Sequence, residues 1–344
     1  MSAALAARRP QLYGDLTRWA LIQADSIQLL RSFPDSSVDA VVTDPPYAIG
    51  FDGQAWDGGS LIQPRGFQAF SADWAAEVRR ALRPGGHVLA FGSPRTFHRM
   101  VSGIEDAGLE IRDTLMWLHG RGVPKSRILP GGISTTLKPA YEPILLARTP
   151  LKEHSAEANI AEHGTGGLNI DICRQPRGDG AQGYWPSQIV LSHEAGCEDQ
   201  GRCAPGCAVS LIDAAGRPGA DPLSRLFHAA KTSRIEREAG LDLLPHTDDE
   251  IFGGSKVLPR ANVHPTVKPI DLMRWLVRLV VPVDGLVLDP FAGSGSTGCA
   301  AVLEGRRFIG IEREPRFVPI ARARLTHWTT EVAATSELAG RKRA

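Results

Sequence analysis

Two short segments of the sequence combine acidic residues with prolines or glycines in patterns that suit ligand chemistry. In the first, "VDAVVTDPPY", an apolar run ends at Asp44, and Pro45, Pro46 and Tyr47 follow it. Each proline fixes its own φ and holds the preceding residue extended. Asp44 and the Pro45 carbonyl therefore form a rigid pair of acceptors beside an aromatic ring. Such a pair complements a primary amine on a planar base, although a simple strand-ending turn is the alternative.

The second segment, "LVLDPFAGSGSTG", joins an apolar strand to a helix of small residues through a glycine-rich turn. Gly293 and Gly295 let the backbone turn tightly and let a ligand approach it. Asp289 begins this turn, and Glu312 ends the next predicted strand. Acids at these positions suit a cationic ligand with a ribose, such as S-adenosylmethionine, better than a pyrophosphate. A tight turn without a ligand is the alternative.

The bulk composition excludes several classes of protein. The chain has 344 residues, 42% of them hydrophobic and 22% charged, which is typical of a globular protein. No apolar run is long enough for a membrane span, and the N-terminus lacks the pattern of a signal peptide. Five cysteines without scaffold density favour the reducing cytoplasm. A net charge of +1 leaves nucleic-acid binding open.

Strand and helix signals alternate through the first third of the chain and again near its end. "TRWALIQAD", "VDAVVTD", "HVLAFG" and "IRDTLMWLHG" read as strands, and Ser26 is the predicted N-cap of a short helix between the first two. The alternation predicts a mostly parallel, doubly wound α/β sheet. Periodicity is weak from about 150 to 260, which predicts an irregular insertion.

Together the two motifs resemble those of the amino-group DNA methyltransferases, which act on N6 of adenine or N4 of cytosine. The resemblance covers residues 20–148 and 262–325, and the tetrapeptide precedes the cofactor turn, as in the beta-type order. It implies a Rossmann-like, doubly wound, seven-stranded methyltransferase sheet with an irregular inserted target-recognition region. The implied parts are a catalytic half (1–149), the inserted DNA-binding region (150–260), a cofactor-binding half (261–330) and a flexible tail (331–344).

The resemblance also implies roles for individual residues. The target base would leave the DNA stack, and Asp44, Pro45, Pro46 and Tyr47 would hold it while its amine attacks the methyl group. No covalent enzyme intermediate is needed. The glycines of the loop 48–59 predict a flap over the base. The cofactor would be bound by Asp25, Asp44, His264, Thr266, Lys268, Asp289, Pro290, Phe291, Ala292, Gly293, Ser294, Gly295, Thr297 and Glu312.

Contacts with double-stranded DNA are expected outside the sheet. Basic residues near aromatic ones predict phosphate contacts, although a solvated helix face balanced by Glu236 and Glu238 is the alternative for the middle segment. Trp117 is a candidate second wall of the base pocket, with core packing as an equal alternative. The basic candidates are Arg121, Lys125, Arg127, Arg225, Lys231 and Arg234.

His193, Cys197, Cys203 and Cys207 offer four soft ligands within fifteen residues of loop-forming sequence. Zinc binds four such ligands tetrahedrally. The four ligands predict a structural zinc that would staple the inserted region. Their spacing matches no paired Cys-x-x-Cys knuckle, and ordinary free thiols are the alternative.

The resemblance favours adenine, because Asp at the first tetrapeptide position is typical of the adenine enzymes and Ser of the cytosine enzymes. The predicted function is site-specific N6-adenine methylation, with N4-cytosine as the alternative. RNA methylation, protein-glutamine methylation and DNA binding without catalysis fit the paired motifs less well. The enzyme is expected to be either an orphan methylase or the partner of a separate restriction endonuclease. The resemblance implies a homodimer, and no membrane is expected.

Overall fold

The computed structural model describes residues 10–14, 17–50, 55–63, 65–119, 128–175, 182–192, 197, 203–204, 207–214, 232–246 and 259–341. In these ranges the strands are β1 (Gln11–Gly14), β2 (Trp19–Gln23), β3 (Val38–Thr43), β4 (Leu82–Phe91), β5 (Glu110–Leu118), β6 (Tyr141–Arg148), β7 (Ile189–Leu191), β8 (Leu286–Asp289) and β9 (Arg307–Glu312). The helices are α1 (Ser26–Leu30), α2 (Gly66–Ala81), α3 (Phe97–Asp106), α4 (Ala156–His163), α5 (Ala208–Ala214), α6 (Arg234–Glu238), α7 (Ile270–Val280), α8 (Ser296–Leu303) and α9 (Val318–Arg341).

The described strands form one sheet in the order β1-β2-β9-β8-β3-β4-β6-β5-β7. Its centre is parallel, while β6 runs antiparallel to both neighbours and β1 runs antiparallel to β2. The seven central strands match the predicted number, and β1 and β7 are additional short edge strands. β7 lies in the region predicted to be irregular. The sequence did not indicate this strand, because three residues are too few to produce a strand period.

Apolar side chains of alternate strand residues fill two cores, one on each face of the sheet. In β3, Val41 packs with residues of α1, α2 and α3, whereas Val42 packs with residues of α7, α8 and α9. All six residues of β3 are buried, as expected for a parallel strand covered on both faces. The helices on the two faces therefore hold the ends of the central strands in place.

The pairing of β3 with β8 sets the position of the two predicted motifs. Ala40 pairs with Val287 and Val41 with Leu288, in parallel register. Asp44 directly follows β3, and Asp289 is the last residue of β8. The two acids thus lie at the same edge of the sheet. Ligands of open α/β sheets bind at this carboxyl edge.

Three expectations about local structure need correction. Asp25, not Ser26, is the N-cap of α1, and its carboxylate accepts from Gln28 N at 3.0 Å. The stretch predicted to be a flexible tail is helical from 331 to 341, where it continues α9. The predicted boundary at 260 is crossed by packing, because Leu241 shares a small core with Ala261 and with residues of α9. Among the described helices, none is long and apolar enough to cross a membrane.

Candidate active site

A cavity of about 390 Å³ opens at the carboxyl edge of the sheet. Both predicted motifs face it, together with the segment around His264. Gly295 is the one cofactor candidate that does not line it. The predicted residues in its lining are Asp25, Asp44, Pro45, Pro46, Tyr47, His264, Thr266, Lys268, Asp289, Pro290, Phe291, Ala292, Gly293, Ser294, Thr297 and Glu312.

The ammonium group of Lys268 lies between two carboxylates at the catalytic end of this cavity. Its Nζ is 2.5 Å from Asp44 Oδ2 and 3.5 Å from Glu142 Oε2. It also lies 4.9 Å from the ring centre of Phe91, and only 6% of its side chain is exposed. Lys268, which was predicted to contact the cofactor, lines the cavity and has Asp44 and Glu142 as its direct partners.

Tyr47 completes this cluster from the other side of Asp44. Its hydroxyl oxygen lies 2.7 Å from Asp44 Oδ1 and 3.1 Å from Glu142 Oε2, and its single proton is donated to one of them. Burial and the two nearby carboxylates hold the pKa of Tyr47 well above its usual value. The Tyr47 carbonyl accepts a 2.6 Å hydrogen bond from Thr96 Oγ1, which fixes the backbone after the two prolines.

The charges of the cluster are strongly coupled. Burial raises the pKa of Asp44, although the neighbouring Lys268 opposes this shift. Burial lowers the pKa of Lys268, but Asp44 and Glu142 together outweigh it, so that the pKa lies above its usual value. Lys268 is therefore an ammonium at neutral pH. With both carboxylates ionised, the cluster has one net negative charge, which would stabilise a positive charge developing nearby.

Asp289 connects the two motifs directly. Its Oδ1 accepts from Thr43 Oγ1 at 2.6 Å and from Phe291 N at 3.0 Å, and its Oδ2 accepts from Thr297 Oγ1 at 2.6 Å. Only 2% of Asp289 is exposed, and burial raises its pKa to about 6. These hydrogen bonds hold the glycine turn against the end of β3.

The glycine turn is shaped by Glu312 and His264. Glu312 Oε2 accepts from Gly293 N at 2.7 Å, and burial raises the pKa of Glu312 to about 7. Gly293 has a φ of +53°, and a Cβ there would lie 2.6 Å from His264 Nε2. Gly295, with a φ of +77°, is the N-cap of α8 and lies against Ala321 of α9, which explains why it does not face the cavity.

His264 is held as a neutral ring. Burial lowers its pKa to about 3, and its ring centre lies 4.5 Å from that of Phe317. Its carbonyl accepts a hydrogen bond from Arg237. Glu236 accepts from Ile270 N at 2.7 Å, and Glu238 accepts from Ala261 N at 2.9 Å. Helix α6 therefore positions the segment with His264 and Lys268, so the solvated-face alternative is wrong for Glu236 and Glu238.

The loop after Tyr47 folds around Asp57. The Asp57 carboxylate accepts from Ala48 N at 2.6 Å and from Ile49 N at 3.1 Å. Ile49 and the stretch 56–61 line the cavity, which agrees with a loop that covers a ligand. Residues 51–54 of the predicted flap lie outside the described residues.

The DNA-contact candidates fall into three groups. Trp117 is 4% exposed and donates from Nε1 to Ser192 Oγ at 2.6 Å, so it packs in the core and does not line the cavity. Arg234 is exposed and donates to the Pro259 carbonyl at 3.1 Å. The candidates outside the described residues are Arg121, Lys125, Arg127, Arg225 and Lys231, and the metal-ligand candidate His193 lies there as well.

Glu142 is the functional candidate that the sequence prediction missed. It stands in β6, a strand that was not among those predicted, and it contacts Lys268 and Tyr47. The available signal was an acid inside the apolar run "YEPILLAR". A charged residue in an otherwise buried strand needs a partner, and that partner is 126 positions away.

Replacing Lys268 with Met should leave the carboxylate of Asp44 without its cation. We expect the free energy of unfolding to fall by roughly 3 kcal/mol at pH 7. The loss should shrink at acidic pH, because Asp44 then takes up a proton. Urea unfolding at several pH values measures both effects. Lys138→Met, at an exposed position, is the matched control. An equal loss in both variants would contradict the buried ion pair.

Replacing Gly293 with Ala should destabilise the protein through two effects, the positive φ and the contact with His264. The expected loss is about 2–3 kcal/mol in urea unfolding. Gly305→Ala is the control, because Gly305 has a φ of +66° but open space around its Cβ position. It should lose only about 1 kcal/mol. Equal losses would mean that the His264 ring does not restrict this turn.

Comparisons with known proteins identify the family of this chain. The profile of the N6/N4 methyltransferase family, described as DNA methylase, matches residues 38–323. The type II methyltransferase M.HindIII of Haemophilus influenzae is 23% identical, over 89% of this chain and 94% of that protein. The type II methyltransferase M2.DpnII of Streptococcus pneumoniae is also 23% identical, over 91% of each chain.

Among solved structures, the PvuII DNA methyltransferase (cytosine-N4-specific) is similar in fold, with a TM-score of 0.55 and 16% identity. The match covers 90% of this chain and 86% of that one. The family profile spans both motifs and every strand from β3 to β9. The chain therefore belongs to the DNA methylase family of S-adenosylmethionine-dependent enzymes that methylate N6 of adenine or N4 of cytosine.

Proposed function

We propose that this protein transfers a methyl group from S-adenosylmethionine to N6 of adenine in double-stranded DNA. One observation carries the proposal. The Asp-Pro-Pro-Tyr segment and the glycine turn open into one cavity, joined by the hydrogen bond between Thr43 and Asp289. A base that has left the DNA stack can reach such a cavity, whereas a stacked base cannot.

The residues of the cavity fit the cofactor. Glu312 offers a carboxylate for ribose hydroxyls, and the absence of a Cβ at Gly293 leaves room beside the turn. Phe291 and Asp25 line the same part of the cavity and would contact the adenine end. When bound, S-adenosylmethionine supplies an electrophilic methyl group on a sulfonium. The surrounding acids favour this positive charge.

The residues around Asp44 would hold the target amine. The Asp44 carboxylate and the Pro45 carbonyl accept its two N–H groups, and the ring of Tyr47 stacks on the base. The negative charge of the cluster stabilises the ammonium that forms at the amine. Asp44, whose pKa is raised by burial, takes the proton that this ammonium loses. Lys268 and Glu142 act as positioning residues, because they fix the carboxylate of Asp44.

Adenine is favoured over cytosine by Asp44 itself, since Asp at this position is typical of the adenine enzymes that the sequence resembles. N4 of cytosine is the second candidate, because it presents a similar amine. Double-stranded DNA is the proposed partner and the cytoplasm the proposed location. A restriction endonuclease partner and a homodimer stay predictions.

The direct test is to incubate the protein with unmethylated genomic DNA and labelled S-adenosylmethionine, and to identify the methylated nucleoside by mass. N6-methyladenine is expected. N4-methylcytosine would overturn the choice of base, and the absence of any DNA product would overturn the proposal.

Asp44→Asn should lower the methylation rate at least about 100-fold, because the anion that holds the amine and accepts its proton is lost. Cofactor affinity, measured by calorimetry, should change far less than the rate. Asp73→Asn is the matched control, at an exposed position of α2. A variant of Asp44 that retained most of the rate would contradict the proposed mechanism.

Cofactor affinity should depend on the ionisation of Glu312. Burial raises the pKa of this carboxyl to about 7, so it is mostly protonated at pH 6 and ionised at pH 8. If the ionised form holds the ribose, affinity should be about tenfold weaker at pH 6 than at pH 8. Calorimetry at both pH values measures this ratio. Glu312→Gln should bind weakly and with a smaller pH dependence, and an unchanged ratio would assign the effect to another group.

A further inference from the structure

Three cysteines of the inserted region form a cluster of sulfur atoms. The Sγ atoms of Cys197, Cys203 and Cys207 all lie within 4.8 Å of one another. None of the three is in a disulfide. Cys207 is fully buried, and the other two are partly buried. The sulfurs are therefore as close as ligands of one metal ion, although they come from positions six and four residues apart.

The described surroundings of the sulfurs are a small apolar core and one backbone donor. Among the described residues, the small core around them contains Leu191 and Val209 as further buried members, with Leu118 and Ile189 partly buried beside it. A structural metal commonly supplements an apolar core of this small size. In addition, the backbone N–H of Ala204 donates to Cys197 Sγ at 3.2 Å. Hydrogen bonds of this kind are stronger when the acceptor is an anion.

We infer that Cys197, Cys203 and Cys207 bind one structural Zn²⁺ ion as thiolates. Zinc–sulfur bonds of about 2.3 Å in a tetrahedron place sulfurs roughly 3.8 Å apart, so the cluster needs only a small contraction. The three thiols release their protons to solvent when the metal binds. His193, the fourth ligand predicted from the sequence, lies outside the described residues, so the three cysteines carry the inference.

The position of the cluster in the fold indicates what structural role the metal would have. β7 ends at Leu191, pairs in parallel with β5, and continues through Ser192, whose N–H donates to the Leu118 carbonyl at 3.0 Å. The ligands follow at once in the chain. The metal would thus connect the start of α5 to Cys197, which follows β7, at the carboxyl edge where the cavity opens. This part rests on the proposed function, since it assigns the inserted region to DNA positioning.

The first test measures the metal itself. The full chain, purified without chelators from cells supplied with zinc, should contain about one zinc per chain by elemental analysis. Metal-free protein should bind Co²⁺ with the intense near-ultraviolet bands of cobalt–thiolate bonds. Cys203→Ala and Cys207→Ala should lose most of the zinc. Cys173→Ala and Cys299→Ala are matched controls at buried cysteines outside the cluster and should retain it.

Several outcomes would overturn the inference. They are zinc below about 0.1 per chain together with no cobalt–thiolate bands in the wild-type protein, a disulfide within the cluster by mass analysis, or equal zinc in the cluster and control variants. The cobalt measurement uses the wild-type chain, so it decides the question even where a variant does not fold.

A second measurement tests the task of the metal separately. Removing the zinc should weaken DNA binding at least about tenfold and leave S-adenosylmethionine affinity within about twofold. Equal loss of both would assign the metal to global folding instead. Bound zinc in a protein that methylates no DNA would retain the metal site and refute only the proposed function.

Discussion

A buried ammonium between two carboxylates is the interaction on which the site depends. Lys268 is almost fully buried, and a buried charge is tolerated only when nearby opposite charges and hydrogen bonds replace water. Its partners are Asp44, at the end of β3, and Glu142, in β6. The ion pairs of Lys268 therefore bring together three segments that are distant in the sequence. The same requirement fixes the carboxylate that the proposed reaction needs. The same ion pair therefore contributes to the stability of the fold and positions the carboxylate for the proposed reaction.

The topology of the sheet brings these distant segments next to one another. β3 lies between β4, which follows it, and β8, which comes near the end of the chain. Asp289 reinforces the junction, because its carboxylate is bound by Thr43 on one side and by Thr297 on the other. Helix α6 adds the third support, since its hydrogen bonds hold the segment that carries Lys268. Each support joins residues that are far apart in sequence but adjacent in space.

Much of this arrangement could be predicted from the sequence. Asp44 to Tyr47 and the glycine turn are local patterns, in which proline and glycine impose the backbone geometry without help from the rest of the fold. The strands that carry these motifs could also be predicted, because strands covered on both faces have continuous apolar runs. Glu142, the hydrogen bonds of α6 and the edge strand β7 were missed, because each depends on a tertiary partner. Trp117 was a candidate for the base pocket but packs in the core. The local sequence around an aromatic residue does not indicate whether its ring faces a ligand or the core.

The position of β3 in the sheet also has a consequence for synthesis of the chain. Thr43 and Asp289 are 246 residues apart, so a ribosome adding about 5–20 residues per second makes β8 roughly 12–50 s after β3. During that time β3 can pair with β4, but its other edge is without its partner. The interval between β2 and its partner β9 is longer still. Exposed edges of buried, apolar strands associate readily with other chains. The nascent protein thus depends on molecular chaperones, or on rapid elongation, more than a chain whose neighbouring strands are made in succession.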